Sequence, residues 1–288
     1  MAMEPLQALM ARITDSATTF EQLSPKEWEQ LKVDDMNNAE GSEHERDGYH
    51  CGICRNKGQI FFVKEPRQGY YITSARECQC AEIRRSIHRM KRSGLKDIIK
   101  DYTFDKFEAT EAWQEKLKAA AMEYAHNPEG WFFLGGQSGC GKTHLCTAIC
   151  REFLLGGRRV VYMLWRDDIA KLKSLAVEME CRMEMIERFK QADVLYIDDL
   201  FKTGKNSDGS DQRPTSADIN AAFEIINYRY CNPNLLTIVS SEWTVEDLLD
   251  IDEATGSRIY ERADKQKKAY SIGKDRSRNY RTRGAVTL

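Results

Sequence analysis

Apolar and polar positions in the second half of the chain follow two alternating periods. Short continuous apolar runs predict buried strands, and longer segments with helical spacing predict helices between them. The predicted strands cover residues 131–134, 160–164, 194–198, 236–240 and 269–272. Strands that alternate with helices at this spacing favour an α/β fold, in which a parallel five-stranded sheet lies between helices.

The helices predicted between these strands are of ordinary length. They cover residues 112–126, 142–155, most of 166–191, and 217–230, and shorter helical pieces continue to about residue 263. Asn127-Pro128 ends the first of these helices, because proline cannot continue a helix. The polar segment between the third strand and the last long helix, residues 202–214, predicts a long loop.

The N-terminal region predicts two short helices within residues 1–35. One face of the first helix would carry Leu6, Leu9, Met10 and Ile13. The second helix begins with a capping box over residues 24–27, with proline at its first position. The polar, acidic and glycine-containing segment 34–48 predicts a linker to the next part of the chain.

Four cysteines occur in two close pairs in the next segment. They are Cys51, Cys54, Cys78 and Cys80, and the β-like runs 60–64 and 70–73 lie between the pairs. Two short-spaced pairs on either side of a hairpin predict a structural zinc site with four thiolate ligands, and His50 is a possible substitute ligand. The alternative is four free thiols. A basic helix over residues 82–93, ending at Ser93-Gly94, follows the second pair.

Composition and charge narrow the class of protein. The chain has 288 residues, of which 41% are hydrophobic and 31% are charged, as in a soluble globular protein. No apolar run approaches the ~18–20 residues of a membrane span, and the N-terminus lacks the pattern of a signal peptide. We therefore expect a cytoplasmic protein with no membrane segment. Without a secretory signal, the nine cysteines do not predict a disulfide framework.

The net charge of −2 is unevenly distributed along the chain. Residues 1–50 carry eleven acidic and four basic side chains, whereas residues 258–283 carry ten basic and three acidic ones. A basic C-terminal region is typical of contact with phosphate or nucleic acid. The alternative is a solvated basic surface. The acidic N-terminal region is not expected to touch DNA.

Residues 136–143 match the phosphate-loop pattern G-x-x-x-x-G-K-[ST], between an apolar strand and a helix. Such a loop turns its backbone N–H groups toward phosphate oxygens, its lysine supplies a positive charge, and its threonine hydroxyl can ligate Mg²⁺. The chain is therefore predicted to bind ATP. The predicted nucleotide-binding residues are Gly136, Gln137, Ser138, Gly139, Cys140, Gly141, Lys142, Thr143 and His144.

Asp198 and Asp199 end the strand 194–198 and are the second part of the predicted ATP site. The carboxyl ends of parallel strands are where α/β sheets bind ligands. Asp198 is predicted to hold Mg²⁺ together with Thr143, and Asp199 is predicted to orient the attacking water. Ser240 and Ser241 end the neighbouring strand, and a polar side chain there can reach the terminal phosphate; the alternative is a simple strand-to-loop transition.

Arginines concentrate near the C-terminus. Arg258 and Arg262 are four residues apart on a predicted helix, and Arg281 and Arg283 lie in the basic tail. Arginine suits phosphate because its planar fork can bond two oxygens at once. The alternative is a set of surface salt bridges, such as those of Arg258 or Arg262 with Glu261.

Five features of the second half carry a family resemblance: the phosphate loop, the Asp198-Asp199 strand end, Ser240-Ser241, residues 257–262 and the tail with Arg281. Over roughly residues 100–288 they resemble the DnaC/DnaI-type helicase loaders, which are AAA+ ATPases related to the initiator DnaA and to IstB transposition helpers. The cysteine quartet and the basic helix resemble the N-terminal zinc module of loader-like proteins, including phage and prophage versions.

The resemblance implies roles for individual side chains. Arg262, or else Arg258, would be an arginine finger that acts on a neighbouring subunit, and Arg281 would be the second sensor arginine. The first sensor would be Ser240 or Ser241, although Glu242 stands where many relatives have asparagine. Asp199 stands where many AAA+ proteins have glutamate, which implies slow hydrolysis that depends on assembly.

The resemblance also implies a division of labour along the chain. Residues 1–48 would bind a partner, 49–95 would form the zinc module with its basic helix, and 96–288 would form the AAA+ ATPase domain. Because the chain ends soon after the last predicted strand, this domain would lack the C-terminal helical lid.

The function implied by the resemblance is an ATP-dependent loader. It would bind a replicative DnaB-type helicase, form a homo-oligomer through its ATP site and deliver the helicase onto single-stranded DNA. The DNA-binding candidates are Lys171, Lys173, Lys202 and Lys205. One alternative is an IstB-like transposition helper that acts on duplex DNA, and another is a nucleotide-gated binding protein without significant turnover.

Overall fold

A computed structural model of the chain describes residues 23–92, 95, 97–204, 207, 212–265 and 267–282, with only the backbone of Ile99. The predicted first helix, with Leu6, Leu9, Met10 and Ile13, lies outside these residues. Lys205, Arg283 and the predicted helix end at Ser93-Gly94 lie outside them as well. The chain divides into two compact units between residues 81 and 82.

The described part of the first unit, from residue 23, contains two helices and a hairpin. Helix α1 (Pro25–Asn38) begins with the predicted capping box and is followed by α2 (Glu43–Asp47). Strands β1 (Gln59–Arg67) and β2 (Tyr70–Glu77) pair antiparallel. Helix α1 packs against both strands, so the unit has one small core rather than separate pieces.

The prediction of a linker over residues 34–48 is wrong. Residues 34–38 are the last part of α1, and α2 lies within the rest of the segment. Between these helices the backbone is fixed by the first cysteine loop, because the Gly41 N–H donates to the Arg55 carbonyl at 2.7 Å and the Glu43 N–H donates to the Asn56 carbonyl at 3.1 Å. The acidic composition indicated solvent exposure correctly but hid these backbone hydrogen bonds. The structure divides between residues 81 and 82, and the predicted domain bounds near residues 48 and 95 stay predictions.

The second unit alternates helices and strands. In chain order its elements are α3 (Cys80–Arg92, which starts in the first unit), α4 (Ile98–Asp101), α5 (Ala112–His126), β3 (Trp131–Gly136), α6 (Lys142–Leu155), β4 (Val160–Leu164), α7 (Trp165–Ser174), α8 (Met179–Lys190), β5 (Val194–Leu200), α9 (Ser216–Cys231), β6 (Leu236–Ser241), α10 (Val245–Ile251), α11 (Glu253–Asp264) and β7 (Ala269–Ile272). Two 3₁₀ turns, Arg276–Arg278 and Tyr280–Thr282, follow.

The five strands of this unit form one parallel sheet in the order β4-β5-β6-β3-β7. The predicted α/β fold with a parallel five-stranded sheet is confirmed. Leu134 pairs with Ser240, and Leu164 pairs with Asp198. Because the strands are parallel, their carboxyl ends meet at one edge of the sheet, where α/β folds bind ligands.

The core of the second unit lies between the sheet and its helices. The side chains of β3 are fully buried, and Leu195, Ile197 and Val239 continue this layer on β5 and β6. Ile225 and Ile226 of α9 close it from the helical side. Burial on both faces explains why these strands read as continuous apolar runs. No helix in the described parts of the chain is long and apolar enough to cross a membrane.

Candidate nucleotide site and cysteine cluster

The phosphate loop connects β3 to α6, as predicted from its pattern. Gly136, Gly139 and Gly141 have φ values of 103°, 72° and 94°, in the left-handed region that favours glycine. At Gly136 a Cβ atom would also lie 1.9 Å from the Ile272 carbonyl oxygen, so the approach of β7 excludes any side chain there. Burial raises the pKa of the Cys140 thiol, which therefore remains neutral.

Lys142 is buried at the start of α6. Its Nζ donates to the carbonyl oxygens of Gly136 and Gln137 at 2.8 and 2.7 Å. These bonds hold the ammonium group inside the curve of the loop, beside the N-terminus of a fourteen-residue helix. A lysine and a helix N-terminus at one loop form a strong site for phosphate groups.

The chain segment after β7 lies directly on the phosphate loop. The Asp275 N–H donates to Gln137 Oε1 at 2.8 Å, and the Tyr280 N–H donates to the Gly139 carbonyl at 3.0 Å. A Cβ atom on Gly139 would lie 1.9 Å from Asn279 Oδ1. This segment therefore shapes the loop from one side and brings Arg281 to the same region.

A cavity of about 530 Å³ opens beside the phosphate loop. Its lining includes loop residues Ser138 to His144 apart from Cys140, together with Asp198, Asp199 and Arg281. Aromatic side chains form another part of the wall: Tyr102, Phe107, His144 and Tyr280. His144 Nε2 lies 2.9 Å from the Thr103 carbonyl, which fixes its ring between Tyr102 and Phe107. The aromatic faces suit the base of a nucleotide and the phosphate loop suits its phosphates, so the cavity matches both ends of such a ligand.

Asp198 is buried and surrounded by hydroxyl groups. The hydroxyls of Tyr162 and Tyr196 donate to its two oxygens at 2.9 and 2.8 Å, and the Ser240 hydroxyl also donates to it. The Thr143 hydroxyl, from the phosphate loop, donates at 3.2 Å. This arrangement fixes the carboxylate next to the threonine predicted to share Mg²⁺, and oxygen ligands of this kind suit that ion.

Asp199 lies where β5 loses its regular pairing. Its φ is 57°, and the register of β5 with β6 shifts between Ile197 and Leu200. The freed Asp199 N–H donates to the Ser240 hydroxyl at 3.1 Å. Non-glycine residues with positive φ are costly and concentrate at functional sites. Here the distortion brings a second carboxylate into the cavity beside Asp198.

Lys202 joins Asp199 to Glu242. Its Nζ lies 2.7 Å from Asp199 Oδ2 and 3.2 Å from Glu242 Oε1. Burial and the charge of Asp198 raise the pKa of Asp199, although Lys202 opposes this shift. Burial would also raise the pKa of Glu242, but Lys202 and a hydrogen bond with Ser138 lower it overall. The cavity therefore holds a partly buried ion-pair network in addition to the phosphate loop.

The two serines at the end of β6 lie in different surroundings. Ser240 contacts Asp198, Asp199 and Tyr196, so it belongs to the carboxylate cluster. The Ser241 hydroxyl donates to the Leu200 carbonyl at 2.7 Å and accepts from the Trp243 N–H. Neither serine lines the cavity itself, but only Ser240 bonds to the carboxylates that do, because adjacent residues of a strand face opposite sides of the sheet.

Two of the predicted arginines lie on α11, outside the cavity lining. Arg258 donates to Asn227 Oδ1 at 3.0 Å and to the Ala254 carbonyl, and Arg262 donates to the Pro233 carbonyl at 2.8 Å. Glu261, the partner in the alternative salt bridges, instead pairs with Lys265 at 2.6 Å. Both arginines are half-buried. They are thus not available to the cavity of their own subunit.

The predicted DNA-binding lysines are dispersed. Lys173 pairs with Asp218 at 2.6 Å, and Lys171 is exposed on the same helix. Lys202 lines the cavity and pairs there with Asp199 and Glu242, and its contact with DNA stays a prediction.

Several cavity residues were not predicted from the sequence. Tyr102, Phe107 and Tyr280 carry no motif, and they meet only because segments far apart in the chain converge on the loop. Tyr162 is one strand residue among several apolar ones. A polar hydroxyl in the apolar run of β4, next to the strand that carries Asp198, is the one signal that could have identified it.

The four paired cysteines meet in the first unit, as their spacing predicts. All four are buried, and their sulfur atoms lie within 4.8 Å of one another. The Cys51 and Cys78 sulfurs are 3.8 Å apart, and those of Cys54 and Cys80 are 3.6 Å apart. A tetrahedral zinc with Zn–S bonds of about 2.3 Å separates its ligands by about 3.8 Å. The cluster is therefore compatible with one zinc ion.

His50, the predicted substitute ligand, is not in this set among the described residues. Its ring stacks on His44 with the centroids 4.6 Å apart.

Comparison with known proteins finds a matching family and several relatives of this chain. The bacterial DnaA ATPase domain family matches residues 98–213. The XkdC protein of the phage-like element PBSX of Bacillus subtilis is 31% identical over 231 residues, which cover 76% of this chain and 82% of that protein. The replicative helicase loader DnaC of Escherichia coli is 25% identical over 157 residues, 52% of this chain and 63% of that protein. A crystal structure of the DnaC helicase loader matches at a TM-score of 0.48 and 22% identity, and covers 62% of this chain and 98% of that one.

Proposed function

We propose that this chain, which belongs to the DnaC/DnaI-type family of AAA+ proteins with its phage-like homologues, hydrolyses ATP to load a replicative helicase onto DNA. The observation that carries the ATPase part is the cavity in which the phosphate loop, Asp198 and Asp199 meet. The loader part rests on the family.

The residues of the cavity support distinct tasks in ATP hydrolysis. The loop N–H groups and Lys142 would bind the phosphates, and the aromatic wall of Tyr102, Phe107 and Tyr280 would hold the base. Thr143 and Asp198 would hold Mg²⁺, which neutralises phosphate charge when it is bound. Asp199 would orient the water, and Ser240 would act as the first sensor by positioning both carboxylates.

Assembly would complete the site. Arg262, or else Arg258, would reach the nucleotide of a neighbouring subunit, while Arg281 would act on the nucleotide of its own subunit as the second sensor. An arginine supplied in this way can stabilise the charge that develops during phosphoryl transfer. Because neither α11 arginine lines its own cavity, this role supports turnover that depends on homo-oligomer formation.

The remaining parts of the chain would serve the partners. The N-terminal segment would bind a DnaB-type helicase, and the cysteine cluster would hold one structural zinc ion, since four thiolates leave no open position for catalysis. The predicted DNA contacts within the described residues, Lys171, Lys173 and Lys202, would remain as candidates for single-stranded DNA. The relative named as a helicase loader, DnaC of Escherichia coli, supports this reading.

The test combines turnover with loading. Purified full-length protein is mixed with a DnaB-type helicase and closed circular single-stranded DNA, and helicase retained on the circle is measured with and without ATP. A closed circle excludes threading over an end, so retention requires active loading. We expect retention that depends on ATP and is lost in Lys142→Ala.

Turnover measured with and without single-stranded DNA separates the alternatives. ATP hydrolysis without helicase binding, combined with tight duplex binding, would support a transposition helper instead of a loader. Nucleotide binding without turnover under any of these conditions would support the alternative of a nucleotide-gated binding protein.

A further inference from the structure

Lys202 occupies an unusual position among the cations of the nucleotide cavity. Its ammonium group lies between Asp199 and Glu242, at 2.7 and 3.2 Å, and its side chain is 34% exposed. Glu242 in turn forms a hydrogen bond with Ser138 of the phosphate loop. A continuous polar chain therefore runs from the phosphate loop through Glu242 and Lys202 to Asp199.

This polar chain concentrates negative charge where phosphates would bind. Asp198, Asp199 and Glu242 all line the phosphate end of the cavity, against Lys142 and Lys202. Without Lys202, these three carboxylates would face Lys142 and, from the segment after β7, Arg281. A bound polyphosphate adds further negative charge, and repulsion between like charges is strong in a partly buried site.

The repulsion is not equal for all nucleotides. The loop N–H groups and Lys142 suit the β-phosphate of a diphosphate and of a triphosphate alike, and Lys142 can also reach the γ-phosphate of a triphosphate. Only a triphosphate brings one more phosphate group toward the two carboxylates that Lys202 joins. A cation at the position of Lys202 is therefore expected to favour binding of the terminal phosphate of a triphosphate.

We propose that Lys202 is the residue that selects ATP over ADP in this site, by neutralising Asp199 and Glu242 and contacting the terminal phosphate. The inference rests on the proposed nucleotide-binding function. It goes beyond that function by assigning selectivity to an ion pair that the phosphate-loop and strand-end motifs do not contain.

The backbone supports such a role. Lys202 follows Asp199 and Phe201, whose φ values of 57° and 61° both lie in the left-handed region. The Lys202 N–H donates to the Asp199 carbonyl at 2.9 Å, which closes a tight turn. This turn returns the lysine to the carboxylate three residues earlier, so the ion pair is part of the local fold rather than a chance surface contact.

Lys190 provides a matched control. It also joins two carboxylates, at 3.1 Å from Glu187 and 2.9 Å from Glu224, but it lies on α8, outside the cavity lining. The Lys190→Met variant removes a bridging lysine of the same kind from the same unit. Any loss caused by general destabilisation would appear in both variants.

The experiment measures the Kd of full-length protein for Mg²⁺-ADP and for a non-hydrolysable Mg²⁺-ATP analogue. We expect Lys202→Met to weaken the ATP analogue by about 10- to 100-fold, as for loss of a charge-assisted contact, and ADP by less than about threefold. Lys202→Arg is expected to keep the preference for the triphosphate. Lys190→Met is expected to bind both nucleotides like the original chain.

A second variant tests the neutralisation argument. In Lys202→Met with Glu242→Gln, one of the repelling carboxylates is gone, so part of the lost affinity for the ATP analogue should return. If the affinity for the ATP analogue did not recover, the claim that Lys202 acts by neutralising Glu242 would be wrong. Equal weakening of both nucleotides by Lys202→Met, or weakening of neither, would overturn the assignment to Lys202. If the original chain bound neither nucleotide, the proposed function itself would fail; if it bound both equally, only the selectivity would.

Discussion

The cysteine cluster and the nucleotide cavity are built from the chain in different ways. The cluster takes four cysteine thiols from two short segments, Cys51 to Cys54 and Cys78 to Cys80, held together by one hairpin. The cavity draws its lining from residues between Leu95 and Arg281, from loops, strand ends and the segment after β7. A site of the first kind depends on one local element, whereas a site of the second kind depends on the whole unit being folded.

Removal of the metal is expected to show the largest difference between the cysteine cluster and the nucleotide cavity. We expect about one zinc per chain, and a Cys78→Ser with Cys80→Ser variant that loses the metal and the structure of the first unit. Binding to structural zinc contributes on the order of 10–16 kcal/mol to folding in small metal-dependent modules, more than such a hairpin can supply alone.

The measurement is metal content together with hydrogen exchange over residues 23–81. Cys181→Ser is the control, because Cys181 is an exposed free cysteine outside the cluster. Protected first-unit amides in the metal-free variant would contradict a structural metal. Nucleotide binding should survive in this variant, since the cavity lies in the second unit.

The converse variant is Lys142→Ala, which should lose detectable nucleotide binding and keep its zinc. The lysine is buried in the phosphate loop, where no other described lysine donates to the loop carbonyls, so its charge has no substitute. Equilibrium binding of a labelled nucleotide measures the change, and Lys265→Ala serves as the control, because Lys265 caps the C-terminus of α11 and does not line the cavity. Unchanged binding would remove the basis for assigning this site.

Arg262→Ala tests whether the cavity extends beyond one subunit. We expect turnover to fall at least about tenfold while nucleotide affinity stays the same, because a finger acts on the transition state of a neighbour. Arg258→Ala is measured beside it to identify the finger.

A mixture of Arg262→Ala with Lys142→Ala tests action between subunits more directly than either variant alone. Arg262→Ala keeps its own phosphate loop, and Lys142→Ala keeps its arginine, so a mixture should turn over ATP faster than either impaired variant alone. No such gain in turnover, with assembly intact, would argue that Arg262 acts only within its own subunit.

The smallest expected effect concerns the hydroxyl groups around Asp198. Tyr162→Phe removes one donor at 2.9 Å and should raise the Mg²⁺ concentration needed for half-maximal turnover by about fivefold, since one such bond contributes about 1 kcal/mol. Tyr124→Phe is the matched control, because its hydroxyl donates to the Gly130 carbonyl outside the cavity. If Tyr162→Phe lowered the free energy of unfolding but left the Mg²⁺ dependence of turnover unchanged, the hydroxyl would have a purely structural role.

The same contrast explains what could be predicted from the sequence. The phosphate loop and the cysteine pairs are contiguous, so their spacing alone identified them, and alternating apolar runs identified the sheet. Tyr102 and Tyr280 could not be identified, because nearly the whole second unit separates them in the chain. Strand periodicity could have separated Ser240 from Ser241, since neighbours on a strand face opposite sides.

Two polar regions have partners that their composition does not reveal. The prediction of a linker over residues 34–48 is wrong, and the polar loop that begins at Lys202 gives no sign of the ion pairs that this lysine makes. Composition reports the preference of a side chain for water, but not the partner that it finds. In one case the partner is the backbone at Arg55, and in the other it is the pair of carboxylates at Asp199 and Glu242.

The side chain of Asn37 has a consequence for the hairpin of the first unit. Its amide nitrogen donates to the Phe61 carbonyl at 2.9 Å, and its amide oxygen accepts from the Phe61 N–H at 3.0 Å. These are the two bonds that another strand would make at this position. An open strand edge invites pairing between molecules and aggregation. By occupying part of the outer edge of β1, a single asparagine disfavours the pairing of this hairpin with a strand of another molecule.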